Sequence, residues 1–97
     1  MLAEARSRIR RYTPEEARAD AELLIVDTRS GDERIQDGVI PGSQHIPLSV
    51  LPWRTDHLEG RRVCLVCAHG YSSSLAAALL VELGVDAGDL IGGFEAW

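Results

Sequence analysis

Three apolar runs set the rhythm of this chain. LLIVD at 23–27 and RVCLVC at 62–67 are too short for helices, and each reads as a strand buried in a sheet. SLAAALLVELG at 74–84 is apolar nearly all round, as expected of a helix covered on most sides, and Gly84 suits the residue just past its end. Upstream, Thr13-Pro14-Glu15-Glu16 predicts a helix start running to about Ala21, with Thr13 as cap, Pro14 at the first helical position and Glu16 closing a capping box. The polar stretch DTRSGDERIQDG predicts a loop with one helical turn. VIPGSQHIP predicts a turn with a short extended piece around His45 and Ile46, and LSVLPWRTDHLEG a short helix interrupted near Pro52. DLIGG predicts a brief strand, and FEAW a last helical turn. Strands alternating with helices imply an α/β layer structure with a mainly parallel central sheet flanked by helices.

Length and composition narrow the class. The 97 residues fit one domain spanning 1–97, and 45% apolar with 26% charged residues is ordinary for a globular protein. No apolar run is long enough to cross a membrane and the N-terminus lacks a signal-peptide core, so a cytoplasmic location is expected. A net charge of −5 argues against a nucleic-acid partner. The charge is uneven: residues 1–11 hold four arginines and one glutamate, whereas the remainder is acidic. That basic N-terminal segment is expected to be helical and to pack on the acidic body. Oligomeric state is not readable from these features.

Cys64 and Cys67 form a C-x-x-C. Zinc would need about four ligands, and no second cysteine pair exists. An odd separation along a strand points the two side chains to opposite faces, so a redox pair is disfavoured and Cys64 reads as a small core residue. Cys67 is different. It closes a strand, and the loop Ala68-His69-Gly70-Tyr71-Ser72-Ser73 leads into a helix. Ligands bind open α/β sheets at the carboxyl ends of strands, and helix starts present free N–H groups. Gly70 would let the loop curl so that those groups converge on an anion. Such a cradle would favour the thiolate of Cys67. From the loop alone, a plain turn fits equally well.

Four pieces, in order, resemble the rhodanese-like (sulfurtransferase) domain family: LLIVDTR, GVIPGSQHIP, VCLVCAHGYSSSLAAALLVELG and LIGGFEAW. The resemblance covers nearly the whole chain. It implies a rhodanese-like three-layer fold and sulfur transfer through a persulfide on Cys67, with N–H groups of residues 68–73 stabilising negative charge. The implied substrates are a small sulfur-containing anion such as thiosulfate and a thiol or cyanide acceptor. No metal or organic cofactor is implied.

The family loop commonly reads Cys-x-x-Gly-x-Arg-Ser, and Ser72 stands at the arginine position. Serine cannot copy a bidentate guanidinium. A subgroup with Gly-Tyr-x-Ser-Ser after the cysteine and Trp-Arg upstream is more similar, matched here by Gly70-Tyr71-Ser72-Ser73-Ser74 and Trp53-Arg54. Arg54 or Arg29 is a candidate outside cation; for Arg29 the favoured reading is a structural ion pair with an acid such as Glu33, and Arg54 is either that cation or solvated. The turn histidine of the family is replaced by Val39 and its alanine by Ser43, and the family pattern continues past the position of Trp97 into a closing helix.

Other residues near the loop have open roles. His69 either tunes substrate preference or is an exposed loop residue. Tyr71 lines the pocket mouth or packs on the scaffold. Ser72 and Ser73 donate to the bound anion or cap the helix. Asp27 is expected to fix a neighbouring loop. His45 and His57 show no partner in sequence. A phosphatase or arsenate reductase of the Cys-x5-Arg type is disfavoured, because Ser73 occupies the arginine position six residues on. A non-catalytic binding module is the remaining alternative.

Overall fold

The computed structural model describes residues 2–97. Its elements are α1 (Leu2–Ser7), β1 (Arg10–Tyr12), α2 (Pro14–Ala19), β2 (Leu24–Asp27), α3 (Gly31–Asp37), β3 (Gln44–His45), β4 (Arg62–Val66), α4 (Ser72–Glu82) and β5 (Asp86–Leu90). Short 3-10 turns cover Leu51–Trp53, Thr55–Leu58 and Phe94–Ala96. The sheet has the order β1-β5-β4-β2-β3, and every pairing is parallel.

β4 lies at the centre, and its alternation builds both core faces. Val63 and Leu65 join Leu51, Leu58, Ala77 and Leu80 on the α4 side. Cys64 and Val66 join Tyr12, Ala17, Ile40 and Leu90 on the other. The four β4 residues after Arg62 are fully buried, which is why the run reads as continuously apolar rather than alternating.

Four boundaries differ from the sequence expectation. The stretch read as a loop with one turn holds the seven-residue α3. Its signal was a second capping box: Ser30 Oγ accepts from the Glu33 N–H at 3.2 Å, and Glu33 Oε1 accepts from the Ser30 N–H at 3.0 Å. The basic segment is not helical throughout, because Arg10–Tyr12 leave α1 to form edge strand β1. Arg11 sits opposite Asp89 there and pairs with it, an attraction that local pattern does not reveal. α2 stops at Ala19 because Asp20 turns its carboxylate to the Glu22 N–H and to Arg62. β5 starts at Asp86, well before DLIGG, since Val85 and Ala87 fill the core under α4.

The chain leaves β2 toward β3 on one side and β4 toward β5 on the other. The carboxyl ends of β2 and β4 therefore flank a topological switch point, where an open sheet leaves a crevice. Thr28, Arg29 and Ser30 follow β2, and Cys67 and Ala68 follow β4. No described helix is long and apolar enough to cross a membrane.

Candidate active site

At that crevice lies an open cleft of about 580 Å³ with Cys67, Ala68, His69, Tyr71 and Ser72 on one wall. Thr28, Arg29, Ser30, Glu33, Leu48 and Ser49 line the other side. Cys67 is 7% exposed and lines this opening.

The loop turns its N–H groups inward because its carbonyls are held elsewhere. The Cys67 carbonyl accepts from the Phe94 N–H at 2.7 Å, and the Ala68 carbonyl from the Glu95 N–H at 3.1 Å. The Gly70 carbonyl accepts from Arg6 Nη2 at 3.0 Å. With the carbonyls tied outward, the Gly70 N–H donates to Cys67 Sγ at 3.1 Å and the Ser73 N–H at 3.4 Å. Gly70 makes the turn at φ +88, a conformation that side chains disfavour. Gly92 and Gly93 lie against the loop's back, and a Cβ on Gly93 would stand 2.4 Å from the Cys67 carbonyl oxygen.

No side chain caps α4; its N-cap is Tyr71, and the sulfur takes the N–H of Ser73 instead. The capping role considered for Ser72 or Ser73 is therefore not the one seen. The Cys67 thiol lies 3.2 Å from Ser73 Oγ, which in turn donates to Asp89 Oδ2 at 3.2 Å. Burial alone would push the Cys67 thiol up. Hydrogen bonds from the hydroxyls of Ser72 and Ser73 and the N–H groups of Ser73 and Gly70 outweigh it and hold the thiol below its ordinary value of 9.0. Cys64, three residues earlier and facing the core, is pushed up to about 12 by burial and by the negative charge of Asp89. Two cysteines of one C-x-x-C are thus a poised sulfur and an inert one.

The other anticipated residues divide. Asp27 and Arg29 form a buried pair, with Arg29 Nε and Nη2 donating to the carboxylate at 3.0 and 2.9 Å. Glu33 is not the partner of Arg29. Burial works against the Asp27 charge, but the Arg29 hydrogen bonds prevail and hold its carboxyl below the usual 3.8. The Phe94 ring stacks 3.7 Å from the Arg29 guanidinium carbon, and Arg29 Nη2 also donates to the Gly38 carbonyl at 2.7 Å. His45 finds a partner in the Arg29 carbonyl at 2.7 Å. Arg29 is thus a brace beneath the cleft as well as part of its wall. Arg54 is exposed in the turn after Trp53 and does not line the cleft. His69 sits on the rim with Glu95 at 2.6 Å, and Tyr71 is 63% exposed at the mouth. Sequence reasoning missed Asp89, Arg6, Arg11 and Ser74, which grip the loop from behind. The charge contrast between residues 1–11 and the body was the one trace of Arg6, Arg11 and Asp89, and Ser74 was read only as part of the loop pattern.

Fold and site together define the class: a parallel α/β protein with a hydrogen-bonded cysteine in the loop at its switch point. Comparison with known proteins identifies the branch. The family profile for the rhodanese-like domain matches residues 13–97, and the chain belongs to that family. It is 38% identical over 95 residues to the thiosulfate sulfurtransferase GlpE of Stutzerimonas stutzeri, covering 91% of this chain and 84% of that protein. It is 31% identical over 84 residues to the putative sulfurtransferase YtwF of Bacillus subtilis, covering 86% and 81%. Among solved structures, a protein of unknown function from Rhodopseudomonas palustris, described as a possible tyrosine phosphatase, superposes with a TM-score of 0.90 at 30% identity, covering 99% of this chain and 84% of that one. A rhodanese-related protein from Thermoplasma volcanium gives 0.83 at 30% identity, covering 91% and 89%.

Proposed function

We propose that the protein is a sulfurtransferase that carries sulfane sulfur on Cys67. The observation that carries this reading is the pair of N–H groups, from Gly70 and Ser73, aimed at the one thiol that opens to the cleft. The Cys67 thiolate attacks the outer sulfur of thiosulfate. A sulfur–sulfur bond forms to Cys67, the sulfur–sulfur bond of thiosulfate breaks, and sulfite leaves with the electron pair. The resulting persulfide carries the negative charge, which the loop N–H groups stabilise in the manner of an oxyanion hole. A thiolate or cyanide then attacks the outer sulfur and Cys67 leaves as thiolate. Both steps conserve electrons, so no metal or organic cofactor is required. A cytoplasmic setting, rich in thiol acceptors, suits this chemistry. The sulfurtransferase names of the two relatives support the same reading.

Phosphoryl transfer on the same loop would need a guanidinium clamp six residues after the cysteine. Ser73 is there, and its hydroxyl is turned inward to Cys67 and Asp89. The deciding experiment is intact-mass spectrometry of the reduced protein after incubation with thiosulfate, beside Cys67→Ser. One added sulfur on the wild type alone is expected. No added sulfur from thiosulfate, nor from an organic persulfide donor, would favour a binding module instead.

A further inference from the structure

Behind the sulfur lies a buried carboxylate that the mechanism above does not use. Asp89, on β5, is fully buried. Arg11 from β1 grips it through Nε at 2.9 Å and Nη2 at 3.3 Å. Its Oδ2 also accepts from the hydroxyls of Ser73, at 3.2 Å, and Ser74, at 2.5 Å. Ser74 in turn accepts from Arg6 Nε at 3.1 Å, so α1, β1, β5 and α4 meet at this point.

The Ser73 hydroxyl has one proton and two claimants. It lies 3.2 Å from Cys67 Sγ on one side and 3.2 Å from Asp89 Oδ2 on the other. A thiolate accepts that proton strongly. A thiol instead donates its own proton to Ser73 Oγ and leaves the hydroxyl proton to Asp89, and the inner sulfur of a persulfide accepts it weakly, because the charge is then elsewhere. The carboxylate is a constant acceptor. We propose that Asp89 is a positioning residue that sets the nucleophilicity of Cys67 by competing with its sulfur for the Ser73 hydroxyl proton. The competition keeps the thiolate from being over-stabilised. As charge moves to the outer sulfur, the hydroxyl turns to Asp89 without leaving a buried donor unpaired. The inference rests on Cys67 being the reacting thiol.

Other charged groups also face the loop. Arg11 and Arg6 approach from behind, Arg29 and Glu33 line the opposite wall, and His69 is paired with Glu95 on the rim. Cys64 lies below on β4.

The test is the pH dependence of Cys67 alkylation by iodoacetamide in wild type, Asp89→Asn, Ser73→Ala and the double variant, each checked for fold by circular dichroism. Asp89→Asn is expected to lower the midpoint by ~0.5–1 pH unit. It should also slow the high-pH plateau, by about threefold per unit, since a thiolate's nucleophilicity falls with its pKa. Ser73→Ala is expected to raise the midpoint, and in that background Asp89→Asn should shift it by less than half as much. An equal shift in both backgrounds, or none in either, overturns the proposal. If Asp89→Asn does not fold, Ser73→Ala decides: a midpoint that fails to rise removes the shared proton. Alkylation is read without any sulfur donor. A wild type that takes up no sulfur therefore sinks the sulfurtransferase reading while leaving this coupling to stand or fall separately.

Discussion

The Ser73 backbone N–H meets the Cys67 sulfur at 3.4 Å, so the sulfur stands where a side-chain cap would stand at the start of α4. One atom thereby serves the helix and, in the proposed function, the chemistry. Cys67→Ala should cost stability because it leaves the N–H groups of Gly70 and Ser73 buried without an acceptor, a loss of about 1–3 kcal/mol. Cys67→Ser keeps an acceptor in place. Urea titration should rank wild type and Cys67→Ser above Cys67→Ala. Equal stability of the two variants would show that the sulfur is not a cap.

The two cysteines should separate cleanly by pH. Cys67 is held below the ordinary 9.0, and Cys64 is pushed up to about 12. Alkylation of the folded protein at neutral pH should add one group, at Cys67, with the rate already rising below pH 9. The stability consequences have opposite signs. The lowered Cys67 contributes stability above its unfolded value, and this is lost as pH falls through the folded value. The raised Cys64 contributes stability below its unfolded value, and this is lost as pH rises from there toward 12. Peptide mapping after alkylation settles which thiol reacted; a Cys64 adduct in folded protein would contradict the assignment.

Asp27→Asn should destabilise severely. It would leave Arg29, whose side chain is 1% exposed, without the carboxylate it pairs with, and breaking such a buried pair typically costs about 3–5 kcal/mol. Because the Asp27 carboxyl is held below 3.8, its contribution is complete above that pH and fades as pH falls through the lower folded value. Wild type and Asp27→Asn should therefore converge in stability in strong acid. A constant gap down to pH 2 would assign the damage to packing instead of charge.

Arg54→Ala, in contrast, should leave the thiosulfate KM within about twofold, since an exposed charge outside the cleft acts on the donor only through screened solvent. A larger rise would return Arg54 to the donor site.

The parts of this site legible in sequence were those whose residues are neighbours along the chain. Cys67 through Ser73 are contiguous, and the strand before and helix after them announce themselves by apolar pattern. The capping box of Thr13 and Glu16 was equally local, and that of Ser30 and Glu33 could have been read the same way. What stayed hidden was long-range. Arg6 reaches Gly70 across 64 positions and Arg11 reaches Asp89 across 78, and no periodicity marks such pairs. Asp89 reads as the polar start of a brief strand, yet it is fully buried because Arg11, Ser73 and Ser74 converge on it. Arg29 was favoured as a structural ion-pair residue, but with Glu33 suggested as its acid; its pairing with Asp27, two residues away, was in principle visible but depended on how β2 ends.

The glycine pair of the last segment gives the sharpest test of how the loop is held. Gly93 has φ +68, and a Cβ there would stand 2.4 Å from the Cys67 carbonyl oxygen, 2.6 Å from the Gly70 nitrogen and 2.8 Å from the Ala68 carbonyl oxygen. All three are backbone atoms, so relief requires moving the loop itself. Gly93→Ala therefore combines backbone strain of about 1–3 kcal/mol with displacement of the N–H groups that face the sulfur. Its signature should be loss of the low thiol midpoint along with sulfur uptake, in protein that retains its helix and strand content. Gly84→Ala is the control. It has a similar φ of +89 and no atom within 4 Å of an added Cβ, so it should strain the chain while leaving the Cys67 midpoint unchanged. If the two variants lowered stability alike and neither moved the midpoint, the Gly93 segment would not be what aims the loop.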